Sequence, residues 1–270
     1  MLLEALAIAA LTATMPLAGP DESERVGDAY PLAECAVAGE AFDEDTTPVV
    51  RYFDGREVKF CCENCPERFA EDLEASMAKL DARIIETQRR HYPLATCVTC
   101  DSELAAGAHE FVYQNRLIKT CCVMCEASFH ESAEAMTEKM DAAIIEAHLP
   151  AYPLNECVVS SESFETEVEN PISFVVNNRL VRVCCNHCVG EVSDYPHEYL
   201  PKLEAAYAEA QRESYPLTTC AVSGQELGSM GDPVELIAGQ TLIRLCCDHC
   251  AGKVNEDPAA YIAKVHDARD

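Results

Sequence analysis

The sequence predicts an α+β protein built as a tandem array of four small modules, each a β-hairpin followed by one or two helices. Two landmarks carry this reading. A Tyr-Pro-Leu-x-x-Cys stretch recurs from Tyr30, Tyr92, Tyr152 and Tyr215, at intervals of 62, 60 and 63 residues. A vicinal cysteine pair begins at Cys61, Cys121, Cys184 and Cys246, at intervals of 60, 63 and 62 residues. Two separate landmarks that keep one period mark internal repeats. The resulting units are 30–91, 92–151, 152–214 and 215–270.

Within each unit the Tyr-Pro-Leu start is extended, because a residue before proline is pushed out of the helical region. A single cysteine follows: Cys35, Cys97, Cys157 or Cys220. Two short alternating runs then flank a turn, "VVRYF-DG-REVKF", "EFVY-QN-RLIKT", "SFVV-NN-RLVRV" and "VELI-AG-QTLIRL". Asp-Gly and Asn-Asn tolerate positive φ and favour tight hairpin turns. After the cysteine pair, units one and two show helical periodicity, with Phe69, Leu73, Met77, Leu80 and Ile84 on one face of a single predicted helix in unit one. In units three and four the prolines of "DYPHEY" and "EDPAAY" predict a short helix, a turn and a second helix.

Ahead of the repeats, residues 1–18 have the apolar run of a secretory signal peptide with small residues before Ala18. Glu4 within the run and the lack of Lys or Arg before it depart from the usual pattern. A cleaved signal implies a periplasmic or secreted protein, and its absence a cytoplasmic one. Residues 19–29 read as an acidic tether. No segment after the leader approaches the length of a membrane span.

The chain carries 47 acidic against 20 basic residues, a formal charge of −27. That balance argues against a nucleic-acid partner, whose phosphates are bound by Lys and Arg clusters, and it suits attraction of cations. A unit of about 60 residues buries little surface alone and needs a fastener. Seventeen cysteines offer one.

In unit one, Cys61 and Cys65 are spaced i,i+4 and Cys62 and Cys65 i,i+3, so a helix beginning near the cluster brings either pair to one side. A helix N-terminus also lowers thiol pKa. Unit two carries Cys97 and Cys100 as a Cys-x2-Cys knuckle facing Cys121, Cys122 and Cys125, which is the ligand spacing of a zinc-ribbon or treble-clef site. Ala38, Ser160 and Ser223 stand where Cys100 does. Units one, three and four therefore reach four cysteines only through the vicinal pairs: Cys35, Cys61, Cys62 and Cys65; Cys157, Cys184, Cys185 and Cys188; Cys220, Cys246, Cys247 and Cys250. His187 and His249, inside "CCNHC" and "CCDHC", are candidate additional ligands, and Met124 is a soft thioether in the same place. The six other histidines share no repeat position and read as solvent-facing.

With these residues in view, the units resemble the YHS/TRASH family of small cysteine-containing modules. The matching positions are Cys35, Cys61, Cys65 and Phe69; Cys97, Cys100, Cys121, Cys125 and Phe129; Cys157, Cys184, Cys188, Val192, Pro196 and Tyr199; and Cys220, Cys246, Cys250, Val254, Pro258 and Tyr261. The resemblance covers nearly all of residues 30–270 and implies heavy-metal binding, sensing or trafficking. Many family members have serine where Cys62, Cys122, Cys185 and Cys247 stand, so the second cysteine of each pair is extra by that comparison.

The expectation is a non-enzymatic protein that binds Zn(II) or Cu(I) through thiolates, with metal ions and a metal transporter or another protein as partners. Three other readings stay open on sequence: a scaffold held by structural zinc, a secreted disulfide-linked repeat protein, and a thiol–disulfide enzyme using Cys62 and Cys65. No acid–base or nucleophile–base set recurs at equivalent positions.

Overall fold

The computed structural model describes residues 25–43, 46–105 and 107–269; the leader segment 1–18 lies outside them. The architecture is mixed, with four separate antiparallel hairpins each followed by helices. The hairpins are β1 (Val49–Phe53) with β2 (Arg56–Phe60), β3 (His109–Tyr113) with β4 (Arg116–Thr120), β5 (Ile172–Val176) with β6 (Arg179–Val183), and β7 (Val234–Ala238) with β8 (Thr241–Leu245). Asp54 and Gly55, Gln114 and Asn115, and Asn177 and Asn178 all take positive φ at the three first turns, as a two-residue turn matched to strand twist requires. In unit four the turn sits one residue later than the sequence predicts. Gly239, with φ of 58°, takes its first central position, and Ala238 ends the strand.

Among the described residues every unit has two α-helices. They are α1 (Cys65–Ala70) and α2 (Leu73–Arg89), α3 (Val123–Glu131) and α4 (Ala133–His148), α5 (Asn186–Asp194) and α6 (Pro196–Arg212), and α7 (Ala251–Glu256) and α8 (Pro258–Asp267). The single helix expected in units one and two is thus corrected. Asp72 (φ −140°, ψ 79°) and Ser132 (φ −146°, ψ 43°) leave the helical region and restart the chain. The Asp72 carboxylate accepts the Ala75 N–H at 3.2 Å as an N-cap, the same device that Asp257 uses ahead of Pro258.

Each hairpin turns one face toward its own helices. Val58 and Phe60 pack with Phe69, Leu80 and Ile84 in unit one, and Phe111 and Ile118 with Phe129, Met140 and Ile144 in unit two. In units three and four Val192 and Val254 take the place of the two phenylalanines, and both are fully buried. The other face of hairpins two, three and four lies against the long helix of the preceding unit. Val175 and Leu180 of unit three join the core of unit two, and Ile237 and Leu242 of unit four join that of unit three. Gln88 and Gln211 tie the same interfaces with their amides. Gln88 Nε2 donates to Asn115 O and its Oε1 accepts from Leu117 N, both at 2.8 Å; Gln211 repeats this with Gln240 O and Leu242 N at 2.8 and 3.1 Å.

No helix is described ahead of unit one, and the sequence of its hairpin differs from that of the others. Where the other units have Leu117, Leu180 and Leu242, it has Glu57, buried at 4% exposure. The Glu57 carboxylate accepts the Tyr30 N–H at 3.1 Å and pairs with Arg25 and Lys59. Of the stretch read as a tether, residues 25–29 do not hang free. Val26 N donates to Gly55 O, Asp28 N to Gln114 O, and the Asp28 carboxylate accepts from Asn177 N, so this short segment crosses three hairpin turns. No described helix is long and apolar enough to cross a membrane.

The histidines are not all solvent-facing as expected. His91 is 3% exposed where the ends of units one and two meet units three and four. Arg90 Nε donates to its Nε2 at 2.8 Å, Glu204 lies 3.4 Å from the same atom, and Arg179 and His148 line the same small cavity. Gly239 N also donates to Arg90 O at 2.7 Å, which joins the first unit to the fourth.

Burial, reinforced by Arg179 and Arg90, pushes the His91 pKa well below its ordinary value. The folded chain then keeps a neutral ring where the unfolded chain takes up a proton. Stability from this group is fully present above about pH 6.5 and is lost as pH falls below it. Chemical denaturation at about pH 8 and about pH 5.5 checks this: His91→Gln should shrink the difference between the two midpoints, and an unchanged difference would refute the assignment. Truncating Leu180 to Ala should cost about 2–5 kcal/mol and speed amide exchange in both α4 and the unit-three hairpin. Acceleration confined to residues 152–214 would show that the interface is not shared.

Candidate metal centres

Three elements meet at the end of each hairpin away from its turn. The first is the loop that begins at Cys35, Cys97, Cys157 or Cys220. In it the cysteine N–H donates five residues on, to Glu40 O, Ser102 O, Glu162 O or Gln225 O, at 2.7–2.9 Å. Its carbonyl accepts from Gly39, Asp101, Ser161 or Gly224, and these four residues all have φ between 59° and 73°. A left-handed residue at this point closes the loop so that its first and fourth side chains face the same way. The second element is the strand end carrying Cys61, Cys121, Cys184 or Cys246. The third is the first turn of the following helix, with Cys65, Cys125, Cys188 or Cys250.

Tyrosines fasten the loop to the strand. The hydroxyls of Tyr152 and Tyr215 accept from Arg182 N and Arg244 N at 3.0 Å, and Tyr92 meets Lys119 N at 3.2 Å. In each case the cation of that strand residue lies over the tyrosine ring. A cation from the second helix holds the loop from the other side. Arg83 donates to Ala36 O, Lys139 to Val98 O and Lys264 to Ala221 O, at 2.5–3.0 Å.

The sulfurs converge in four groups, each with all its Sγ atoms within 4.8 Å of one another: Cys97, Cys100, Cys121 and Cys125; Cys35, Cys61 and Cys65; Cys157, Cys184 and Cys188; Cys220, Cys246 and Cys250. In unit two Cys100 lies 3.6 Å from Cys121 and 3.8 Å from Cys125, and Cys121 lies 3.5 Å from Cys125. A tetrahedral ion with metal–sulfur bonds of about 2.3 Å needs sulfur–sulfur edges of about 3.8 Å. The donor set therefore fits a tetrahedral thiophilic ion. The matching edges in the other units are 3.8 Å for Cys61–Cys65, 3.6 Å for Cys184–Cys188 and 3.9 Å for Cys246–Cys250. No cysteine is in a disulfide.

The second cysteine of each pair is not gathered into these groups. Cys122, Cys185 and Cys247 are extended residues that cap the following helix, with φ between −156° and −167°. Each approaches some group sulfurs without joining the set: Cys62 lies 3.4 Å from Cys65, Cys122 3.9 Å from Cys121, Cys185 3.6 Å from Cys184, and Cys247 3.8 Å from Cys246. The two candidate histidines are not brought in either. His187 is 81% exposed and faces Glu191, and His249 is exposed. Met124 is 75% exposed beside the unit-two site. A residue between two inward-facing positions of a helical turn points outward, which explains all three.

Ionisation is shared unevenly within a group. Burial opposes it at Cys35, Cys157 and Cys220, but backbone N–H groups outweigh burial, joined in the last two by the Ser160 and Ser223 hydroxyls. Cys35 is held below the ordinary thiol value, Cys157 at about 7 and Cys220 at about 6. Cys100 is drawn to about 6, chiefly by the Ser102 hydroxyl. The helix cysteines move the other way. Burial and neighbouring sulfurs push up Cys65 and Cys188, and Cys250 to about 12. Each group thus gives up one proton readily and holds the last. A cation among the sulfurs removes the like-charge penalty and lets the whole set ionise.

Sequence reasoning found the gathered cysteines but missed what surrounds them. The Ser160 and Ser223 hydroxyls lie 3.4 Å from Cys184 and Cys246, and their alignment with Cys100 was the available signal. In unit two, Cys121→Ser should weaken Zn(II) binding by more than the roughly 10- to 100-fold that outer-shell changes cost, whereas Cys122→Ser should hold its ion almost unchanged. Competition against a chelator of known affinity reads the difference, and equal losses would make Cys122 a ligand. Compared with known proteins, the chain matches no family model, no curated protein and no solved structure.

Proposed function

We propose that this chain is a non-enzymatic metal-binding repeat protein whose thiolate sites take Zn(II) or Cu(I), and that it serves heavy-metal binding, sensing or trafficking. One observation carries the reading: four times over, cysteines more than twenty residues apart in sequence are brought to the spacing that a single ion needs. The resemblance of the cysteine pattern to YHS/TRASH modules supports it, and so does the acidic surface, which favours cations in its surroundings. Softness of the donors selects Zn(II) or Cu(I) over Mg(II) or Ca(II) and does not choose between the first two.

Purely structural zinc is the second reading, and the packing bears on it. Cys65, Cys188 and Cys250 belong to the apolar cores, as a fastener should. Those cores also extend across unit boundaries, where they bury Leu180 and Leu242 against the helix of the preceding unit. A chain fastened by its interfaces can release its ions and stay folded, which favours binding and delivery over scaffolding.

Elemental analysis, thiol titration and circular dichroism on protein purified under reducing conditions test this. The expected result is about four ions per chain, one per group, with free thiols recovered and most helix content kept after chelation. Collapse of the fold on chelation would support the structural reading. A chain with no metal and few free thiols would overturn both.

A further inference from the structure

The four sites differ at one corner. In unit two it is filled by Cys100, whose sulfur completes the tetrahedron with edges of 3.6 and 3.8 Å to Cys121 and Cys125. In units three and four the same position of the loop holds Ser160 and Ser223, each with its hydroxyl 3.4 Å from the strand cysteine. Ser160 also hydrogen bonds to Glu162 at 3.2 Å. In unit one the position holds Ala38, which offers no donor. All four corner residues are solvent-exposed.

We infer that the chain carries two kinds of metal site: a saturated one in unit two that retains its ion, and three in units one, three and four that leave one coordination position open to solvent and exchange their ions through it. This rests on the metal-binding reading above. A closed four-sulfur site behaves as structural zinc sites do, whereas three protein ligands leave a position for water or an external donor. A neutral serine hydroxyl is a poor, hard donor beside three thiolates. An incoming thiol or chelator enters the open position before any metal–sulfur bond breaks. At a four-sulfur site a bond must break first. The second cysteine of each pair reaches only part of the set: Cys62 meets Cys65 at 3.4 Å and Cys185 meets Cys184 and Cys188 at 3.6 and 3.8 Å, but none belongs to the sulfurs that all lie within 4.8 Å of one another.

Solvent access alone predicts the reverse order. Cys100 and Cys121 are exposed, while the three gathered cysteines of unit four, Cys220, Cys246 and Cys250, are buried. The comparison therefore separates coordination number from exposure.

The test loads the full-length chain with Zn(II), measures total zinc, and follows release into excess chromogenic chelator by stopped flow. About three of the four ions should leave in phases about tenfold or more faster than the last. Cys100→Ser should remove the slow phase, and Ser223→Cys, which replaces one atom, should double it. Release of all four ions in one phase, or a slow phase that survives Cys100→Ser, would overturn the inference while leaving metal binding intact. A chain that holds no zinc would overturn the metal-binding reading itself.

Discussion

A two-stranded ribbon has two faces, and a unit of this size has enough helix to cover only one of them. The rest of the structure follows from how the second face is covered. In hairpins two, three and four it is apolar and lies on the long helix of the unit before, so each helix serves two hairpins. No helix is described ahead of hairpin one. This hairpin replaces the buried leucine by Glu57 and covers that carboxylate with the Tyr30 N–H, Arg25 and Lys59. A buried carboxylate with these partners is tolerable, and without them it would not be. Glu57 is therefore held by polar partners where the other hairpins set a leucine against a helix.

The same packing explains how the cysteines are placed. In units two, three and four the ribbon that presents Cys121, Cys184 or Cys246 is clamped from both sides, which fixes the direction of its end. The loop that supplies the partner cysteine is held to the strand by a tyrosine in units two, three and four, and to the second helix by a cation in units one, two and four. Geometry at the sulfurs is thus set by side chains well outside them. Rigid support of this kind is what lets a few donors hold ligand spacing before an ion arrives.

Much of this was legible in the sequence, and the failures have physical causes. Strand limits were readable to within a residue because Asp-Gly and Asn-Asn announce their turns; Ala-Gly in unit four is more permissive, and there the turn moved by one. The helix breaks at Asp72 and Ser132 carried no proline, and a capping aspartate or serine inside a periodic stretch looks like a surface residue. The shared interfaces left a trace that a single-unit reading overlooks. "RLIKT" and "RLVRV" place two apolar residues side by side, which a ribbon with one wet face would not do. His91 was misplaced because its burial depends on units three and four, far along the chain. At the site, the gathered cysteines followed from spacing. The exclusion of Cys122, Cys185 and Cys247 goes with an extended residue at each helix start, which spacing alone does not reveal.

The segment that crosses the hairpin turns also orients the molecule. Residues 26–28 touch the turns of units one, two and three, and the cysteine groups lie at the opposite ends of those ribbons. A five-residue strand places the two ends about 17 Å apart. Arg25 therefore lies on the turn side, away from the thiols of these units. A molecule held by that end, on a surface or on another protein, presents the thiols of these three units outward, to whatever brings or takes their ions.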